Sequence, residues 1–198
     1  MTMPALVALP DLGASDARTV TRIIKVNHAG EYGAISIYGS QIAIARWRCP
    51  EVLPKLYEML GHEIDHCAKF ASAMPARAAK PCRALFLWST GGRVLGILTA
   101  MLGRNGVWAC TAAVEAAVHH HLEDQLVFLA GRDQGLFDII ADIRAEEMAH
   151  LEHAEKSLTA QGPHIEFLRA CVAGLTCLLI WASTSGDSAR MARDIRIS

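Results

Sequence analysis

Two segments of the chain place a glutamate three residues before a histidine, a spacing that suits metal binding on a helix. They are Glu63-Ile64-Asp65-His66 and Glu147-Met148-Ala149-His150. Side chains three residues apart lie on the same helix face, so both members of each pair can reach one ion. A single pair of this kind is usually part of a solvated helix face. The assignment therefore depends on further acids at related positions.

Two more glutamates turn the pairs into an internal repeat. Glu31 precedes Glu63 by 32 residues (63 − 31), and Glu115 precedes Glu147 by the same interval (147 − 115). Each half thus predicts a helix with a lone glutamate, a turn, and a helix with Glu-x-x-His. This is the ligand set of a ferritin-like di-metal carboxylate bundle.

Four carboxylates and two imidazoles can hold two divalent iron ions, with Glu63 and Glu147 free to bridge them. Such a ligand set leaves open coordination positions, which suits oxygen chemistry. The predicted metal ligands are Glu31, Glu63, His66, Glu115, Glu147 and His150. Two neighbours are candidates for supporting roles. His28 precedes Glu31 by three residues and can be a hydrogen-bond partner or a purely structural residue, and Glu146 can orient His66 from the opposite half.

The elements that must position these residues are all helical. Apolar residues at helical spacing and punctuating Pro and Gly predict an all-α fold, a ferritin-like four-helix bundle with two additional hydrophobic helices. Glycines 30, 33 and 39 in the first helix are expected to allow close helix packing. A flexible N-terminal tail at 1–15, a ferritin-like di-iron domain at 16–183 and a polar C-terminal tail at 184–198 complete the prediction. The helices are expected at 16–47, 50–73, 85–102, 107–130, 133–161 and 164–183.

The two additional helices are strongly apolar. Residues 85–102 approach the length of a membrane span, but Arg93 near the middle costs about 2.5–3.5 kcal/mol on insertion scales. The apolar run 171–182 is shorter than the roughly 20 residues a span needs. We therefore expect both helices to lie against the core or in the membrane interface.

Composition excludes some classes of function. Hydrophobic residues make up 52% of the 198 residues and charged residues 20%, and the net charge is −1. This balance gives no basic face for nucleic acid, so no nucleic-acid partner is expected. The six cysteines have no CxxC spacing and suggest free thiols in a reducing compartment. The first 16 residues lack a secretory signal, which is typical of a bacterial cytoplasmic protein.

Longer motifs resemble one family. The segment from Lys25 to Ala34, KVNHAGEYGA, is similar to the opening signature of the demethoxyubiquinone hydroxylases. The later segments around Glu63, Glu115 and Glu147 continue that signature in the family's order, and Asp124-Gln125-Leu126 also matches. The resemblance covers about residues 20–182.

This resemblance implies a di-iron monooxygenase that hydroxylates a demethoxyubiquinol-type polyprenyl benzoquinol with dioxygen in ubiquinone biosynthesis. The six predicted ligands match the family's. The electrons can come from the quinol or from NADH. The implied partners are the quinol, a membrane lipid surface and other proteins of ubiquinone biosynthesis, and the implied location is peripheral, on the cytoplasmic face of a bacterial inner membrane. His121 matches the family and is a third candidate for a supporting role beside the metal ligands. One departure stands out: Leu122 occupies the position of the family's tyrosine.

Other interpretations stay open at this stage. The chain can be another ferritin-like di-iron oxygenase, for example one acting on a tRNA base, although near-neutral charge and apolar flanks disfavour that substrate. It can also be a non-enzymatic iron-binding bundle of the storage type, or a membrane-associated scaffold with a degenerate site. A storage cage would have a charged, soluble exterior and would elute as a very large particle without detergent. A complete ligand set disfavours the scaffold.

Overall fold

The protein is almost entirely helical. A computed structural model describes residues 12–160, 162–183 and 186–197. Across these residues there are α-helices and two short 3-10 turns, at Pro50–Val52 and Pro75–Arg77, and no strand, which confirms the all-α prediction. The helices are α1 (Ala14–Arg48), α2 (Leu53–Ala73), α3 (Leu85–Met101), α4 (Arg104–Leu129), α5 (Gln134–Ser157), α6 (Pro163–Ser183) and α7 (Asp187–Ile197).

Four helices form the bundle, in two antiparallel pairs. Helix α1 packs extensively on α2, and α4 packs in the same way on α5. Two large apolar clusters fill the bundle, one including Phe70 and Ile140 and the other including Leu56 and Trp108. Helices α1 and α4 contact each other only sparsely, and the space between them becomes important below. Asp133 starts α5, since its side chain accepts a hydrogen bond from the Leu136 amide at 3.0 Å.

Helix α3 lies directly against α1 because glycines allow the two backbones to touch. An added Cβ on Gly96 would lie 2.4 Å from the Ile37 carbonyl oxygen, and one on Gly92 would lie 2.7 Å from that of Gly33. Gly33 itself faces the Trp88 ring, so its predicted role in close packing is confirmed. Nothing lies within 4 Å of the corresponding positions on Gly30 and Gly39, so the same expectation was wrong for these two.

Helix α6 forms where the sequence predicted a helix at 164–183, beginning one residue earlier at Pro163. Its residues 163–182 are a 20-residue apolar segment, and an 18-residue window within it has a mean hydropathy of 1.8 and is 17% buried. By length and composition this segment is sufficient to cross a membrane, unlike the run 171–182 considered alone. Helix α3 is a shorter apolar helix. The two helices contact each other and expose large apolar side chains, including Phe86 and Leu98 on α3 and Phe167 and Trp181 on α6.

The C-terminal residues differ from the polar tail expected at 184–198. Residues 187–197 form α7, which packs on α1, α4 and α6. Met191 is 2% exposed and joins the same apolar cluster as Phe70, while Asp194 pairs with Arg22 of α1 at 2.5 Å. The composition of this segment alone predicts a solvent-exposed tail. It forms a helix because one apolar face is buried and one ion pair joins it to α1. The expected N-terminal tail lies mostly outside the described residues, and the domain boundaries remain predictions.

Candidate metal centre

The six predicted ligands converge in the middle of the bundle. One ligand atom from each of Glu31, Glu63, His66 and Glu147 lies within 4.8 Å of the others in that group. A second group, in which one ligand atom of each residue again lies within 4.8 Å of the others, contains Glu63, Glu115, Glu147 and His150. Glu63 and Glu147 belong to both groups, so they occupy the positions in which a carboxylate could bridge two ions. That these residues bind metal remains a prediction.

The cluster is buried, and its charge is concentrated. None of the six residues is more than 6% exposed. Burial, followed by repulsion from Glu63, raises the pKa of Glu31 well above its ordinary value. Burial and the Glu147 carboxylate likewise raise the pKa of Glu115. Unpaired buried carboxylates are costly, so a cluster of this kind is stabilised either by protons or by cations.

Both histidines direct Nδ1 into the carboxylates. His150 Nδ1 lies 3.2 Å from Glu147 Oε2 and 3.5 Å from Glu63 Oε1. His66 Nδ1 lies 3.1 Å from Glu147 Oε1 but lacks the geometry of a hydrogen bond. Burial would lower the pKa of His66, yet the Glu147 and Glu63 carboxylates outweigh it and raise that pKa to about 10.

Within the part of the chain that the structure describes, two polar atoms of the cluster have no hydrogen-bond partner. They are His66 Nδ1 and Glu63 Oε1, both fully buried. Buried polar atoms are nearly always satisfied in folded proteins, so these two atoms are available to bind a cation. Carboxylate oxygens with one imidazole nitrogen per group suit divalent iron. The residues therefore fit a two-metal centre.

The outer nitrogen of each histidine contacts a residue from the opposite half. His66 Nε2 lies 3.2 Å from Glu146 Oε2, which is the contact that the sequence analysis expected. His150 Nε2 lies 2.9 Å from His62 Nδ1, and the two rings stack. The sequence analysis did not single out His62. Its position four residues before His66, on the same helix face, was the available signal.

A buried tyrosine also supports the cluster. The Tyr38 hydroxyl donates a hydrogen bond to Glu115 Oε1 at 2.6 Å. Burial and the nearby Glu115 carboxylate raise the pKa of Tyr38 well above its ordinary value, so the hydroxyl keeps its proton and acts as a donor. Sequence reasoning placed Tyr38 only in an apolar stripe. Its position seven residues after Glu31, on the same face of α1, could have identified it.

The remaining sequence candidates have different surroundings. His28 is buried on α1 and makes none of the described contacts with the four carboxylates; burial lowers its pKa. His121 is half-buried and lines the pocket described next, and burial, followed by the neighbouring His120, lowers its pKa. Leu122 is 1% exposed and lines the same pocket, so the departure noted in the sequence does lie beside the cluster.

A pocket runs from the carboxylates to the outer helices, through the space between α1 and α4. It encloses about 890 Å³ of empty space, part of it open to solvent. One wall of the pocket is formed by the four clustered glutamates, Glu31, Glu63, Glu115 and Glu147. The other walls are mainly apolar and come from five helices, including Trp88 of α3, Leu179 of α6 and Met191 of α7. Gly30 contributes open space, which explains why no neighbour approaches it.

Comparison with known proteins now identifies the family. The family described as "Ubiquinone biosynthesis protein COQ7" matches residues 18–183. The chain belongs to this family. Its COQ7 relatives include the "3-demethoxyubiquinol 3-hydroxylase" of Rhodospirillum rubrum, which is 34% identical over 169 residues, covering 85% of this chain and 79% of the relative. The resemblance in the sequence analysis is therefore confirmed.

Mitochondrial COQ7 relatives are also similar. The "NADPH-dependent 3-demethoxyubiquinone 3-hydroxylase, mitochondrial" of Rattus norvegicus is 39% identical over 142 residues, which is 68% of this chain and 64% of the relative. The Homo sapiens protein of the same name is 39% identical over 135 residues, 66% of this chain and 61% of the relative. The chain thus spans slightly less than two thirds of the length of these mitochondrial relatives.

Proposed function

We propose that this chain hydroxylates the ring of a demethoxyubiquinol-type polyprenyl benzoquinol, using dioxygen and a di-iron centre, in ubiquinone biosynthesis. One observation carries the proposal: the walls of the apolar pocket lead directly onto the four clustered carboxylates. An aromatic ring with an apolar tail fits such a pocket, because the ring can lie at the carboxylate wall while the tail follows the apolar ones. The relatives' names support the same activity.

Six residues would hold the iron: Glu31 and His66 on one side, Glu115 and His150 on the other, with Glu63 and Glu147 shared. Iron bound there would activate dioxygen and supply the oxidising power for inserting one oxygen atom into the ring. The orphaned His66 Nδ1 and Glu63 Oε1 support this assignment.

The chain's own residues would hold the ligands in place and keep water away. Glu146 accepts a hydrogen bond from His66 Nε2–H, which leaves Nδ1 as the atom available to a cation. The Tyr38 hydroxyl fixes one oxygen of Glu115. Trp88, Leu95 and Leu122 surround the space next to the carboxylates with apolar surface, so a bound ring would displace solvent from it.

The exposed apolar surface supports a lipid partner. Helices α3 and α6 both contribute to the pocket and both expose large apolar side chains on their outer faces. Apolar side chains on adjacent helices suit insertion into a lipid interface. We place the protein as a peripheral membrane protein at the cytoplasmic face of a bacterial inner membrane, where the prenyl tail could enter directly from lipid. The electrons would come from the quinol or a nicotinamide such as NADH, and other proteins of ubiquinone biosynthesis are the expected protein partners.

A direct assay tests the activity. The protein, reconstituted with ferrous iron, is given a short-tailed demethoxyubiquinol, a reductant and ¹⁸O₂, and the products are separated by mass spectrometry. We expect a hydroxylated quinol carrying one ¹⁸O atom. Glu147→Ala should lose metal and activity together, because this carboxylate belongs to both ligand groups. Full activity in Glu147→Ala with its iron content unchanged contradicts the metal assignment. Stoichiometric iron uptake by the wild type without any product would favour the non-enzymatic alternative.

Two glycines of α1 give a matched test of the pocket. Gly30 and Gly39 both have open space around an added Cβ, but only Gly30 lines the pocket, whereas Gly39 is exposed. Replacing either by leucine removes the same helix-interior penalty of about 1 kcal/mol. Gly30→Leu should fill the pocket and weaken quinol binding while metal binding persists. Gly39→Leu should bind quinol as the wild type does. Equal quinol affinity in the two variants rules this pocket out as the substrate site.

A further inference from the structure

Helix α7 lies outside the part of the chain that matches the family, yet it forms part of the pocket. The family match ends at residue 183, and α7 begins at Asp187. Two α7 side chains, Ser188 and Met191, line the same pocket as the four carboxylates. The wall that they form is therefore an addition to the segment shared with the family.

The position of α7 in the pocket follows from its contacts. Asp194 binds Arg22 at 2.5 Å and lies 3.4 Å from the Thr19 hydroxyl, both on the first part of α1. Met191 Sδ lies 3.8 Å from Gln125 Nε2, near the end of α4. These contacts lie before Glu31 on α1 and after Glu115 on α4, so α7 closes one end of the gap between the two helices.

The end wall is firmly packed. Met191 belongs to the same cluster of buried apolar residues as Leu122 and Phe128 of α4. Gln125, which Met191 touches, is held in turn by Asn27 of α1 through two amide hydrogen bonds at 2.7 and 3.1 Å. A wall supported from two helices has little freedom to move aside for a larger ligand.

We propose that Met191 and Ser188 of α7 determine which ring substituents the pocket accepts. This inference depends on the proposed function, since it assigns these residues to the quinol site. The Met191 side chain lines the same pocket as Leu122, so it fills space that a larger ring substituent would need. Discrimination follows from the general rule that one methylene in an apolar pocket changes affinity by about 10–200-fold.

Binding of two matched quinones tests the inference. Both carry a decyl tail on a methoxy-benzoquinone ring, and the second has a propoxy group in place of one methoxy group. Affinities are measured by quenching of tryptophan fluorescence, since Trp88 lines the pocket. The full-length protein is loaded with ferrous iron and kept free of dioxygen, so that binding is measured without turnover.

The wild type should prefer the methoxy ligand. Met191→Ala should reduce that preference by about tenfold or more, because it opens space at the end wall. Ser188→Leu should strengthen the preference, and it keeps the test valid where Met191→Ala unfolds. Arg193→Ala, an exposed position on the same helix, should leave the preference unchanged.

The two kinds of failure can be told apart. If neither quinone binds the wild type, the proposed function is wrong, and the role of α7 in quinol selection is wrong with it. If both bind but Met191→Ala and Ser188→Leu show the wild-type preference, the role of α7 is overturned and the proposed function stands. Helical content and thermal unfolding of each variant are recorded in parallel.

Discussion

The two halves of the bundle carry equivalent residues 84 positions apart, and they differ where they support the candidate metal centre. The equivalent pairs are Glu31 with Glu115 (115 − 31), Glu63 with Glu147 (147 − 63) and His66 with His150 (150 − 66). In each half the histidine directs Nδ1 inward and contacts the opposite half through Nε2. The ligand set is therefore symmetric, and its surroundings can be compared position by position.

The first difference lies just before each Glu-x-x-His segment. Glu146 supports His66 with a carboxylate, but the equivalent position in the first half (146 − 84) is His62, which supports His150 with an imidazole. A carboxylate makes the histidine it holds a stronger electron donor than a neutral acceptor does. Of the two histidines, His66 thus has the stronger support.

The second difference lies seven residues after each lone glutamate. Tyr38 of the first half donates a hydrogen bond to Glu115, whereas its equivalent (38 + 84) is Leu122, which has no hydroxyl to offer Glu31. Glu115 is consequently held by a donor from the opposite half, and Glu31 receives no such hydrogen bond from Leu122. Each side of the centre is thus well supported at one ligand and poorly supported at another, so two metal positions there should not be equivalent.

The largest expected effect separates shared carboxylates from unshared ones. Glu63→Ala should remove binding of both metal ions, because Glu63 belongs to both groups, while Glu31→Ala should retain one ion on the Glu115 side. Metal content after equilibrium dialysis against Co²⁺ gives the stoichiometry. Asp65→Ala, an exposed acid in the same motif, should keep two ions. Identical stoichiometry in Glu63→Ala and Glu31→Ala contradicts a bridged centre.

A smaller effect is expected at the residues that support the histidines. Glu146→Gln should weaken metal binding on the His66 side by about 10–100-fold, since the negative charge behind the histidine is lost. His62→Gln replaces the imidazole at a half-exposed position with an amide that can still accept a hydrogen bond, and it should weaken binding less than about tenfold. Competition against a chromophoric chelator measures both constants.

The control substitution for Glu146→Gln and His62→Gln lies on α5, the helix that carries Glu146. Glu152→Gln removes an exposed carboxylate that pairs with Lys156 at the surface, and it should not change metal affinity. If His62→Gln costs as much affinity as Glu146→Gln, the two halves are equally supported and the proposed inequality is wrong.

Loss of the Tyr38 hydroxyl should have a moderate effect. Tyr38→Phe leaves Glu115 without its donor in a buried site and should lower the free energy of unfolding by about 1–3 kcal/mol. It should also raise the pKa of Glu115 further, since this hydrogen bond holds that pKa down. Urea denaturation measures the stability. Tyr57→Phe, which removes an exposed hydroxyl bonded to Arg46, should stay within about 0.5 kcal/mol of the wild type. Similar losses in the two variants would contradict the supporting role.

The smallest expected effect comes from making the halves more alike. Leu122→Tyr offers Glu31 a hydroxyl as Tyr38 does for Glu115, and it should strengthen metal binding on the Glu31 side by less than about tenfold, the size of one net hydrogen bond. Leu122→Phe supplies the same ring without the hydroxyl and is the matched control. An equal change in the two variants would mean that ring volume, not hydrogen bonding, is responsible.

The sequence predicted the helices and the convergence of six residues because both depend on short-range periodicity. Glu63 and His66 share a face through helix geometry alone, and the repeat implied that the second half meets the first. Contacts between the two halves of the bundle were harder to predict from the sequence. Tyr38 and His62 reach ligands on other helices, so their roles depend on packing that spacing along one helix does not define.

Two other features depended on tertiary structure. The segment 187–197 is rich in charge, and its helix is stabilised by burial of Met191 and by the Arg22–Asp194 pair, which local sequence does not reveal. The helix predicted at 164–183 forms as α6, but its first half is less apolar than its second half, so the run 171–182 taken alone suggested that the apolar segment was too short to cross a membrane. The roles of Gly30 and Gly33 could not be distinguished from the sequence, since both are glycines of the same helix. Gly30 leaves space for the pocket, whereas Gly33 allows the close contact with Trp88.

The glycine contact between α1 and α3 also determines how far the outer face of α3 lies from the candidate metal centre. Gly92 and Gly96 hold the α3 backbone against residues 33–37 of α1, within two turns of Glu31. The outer face of α3 and Glu31, the first predicted metal ligand, are thus connected through this backbone contact. If α3 rests in a lipid interface as proposed, that contact would set the depth of the candidate metal centre relative to the bilayer surface. A quinol ring on a flexible prenyl tail would then have to reach a fixed distance from the bilayer surface before it could react.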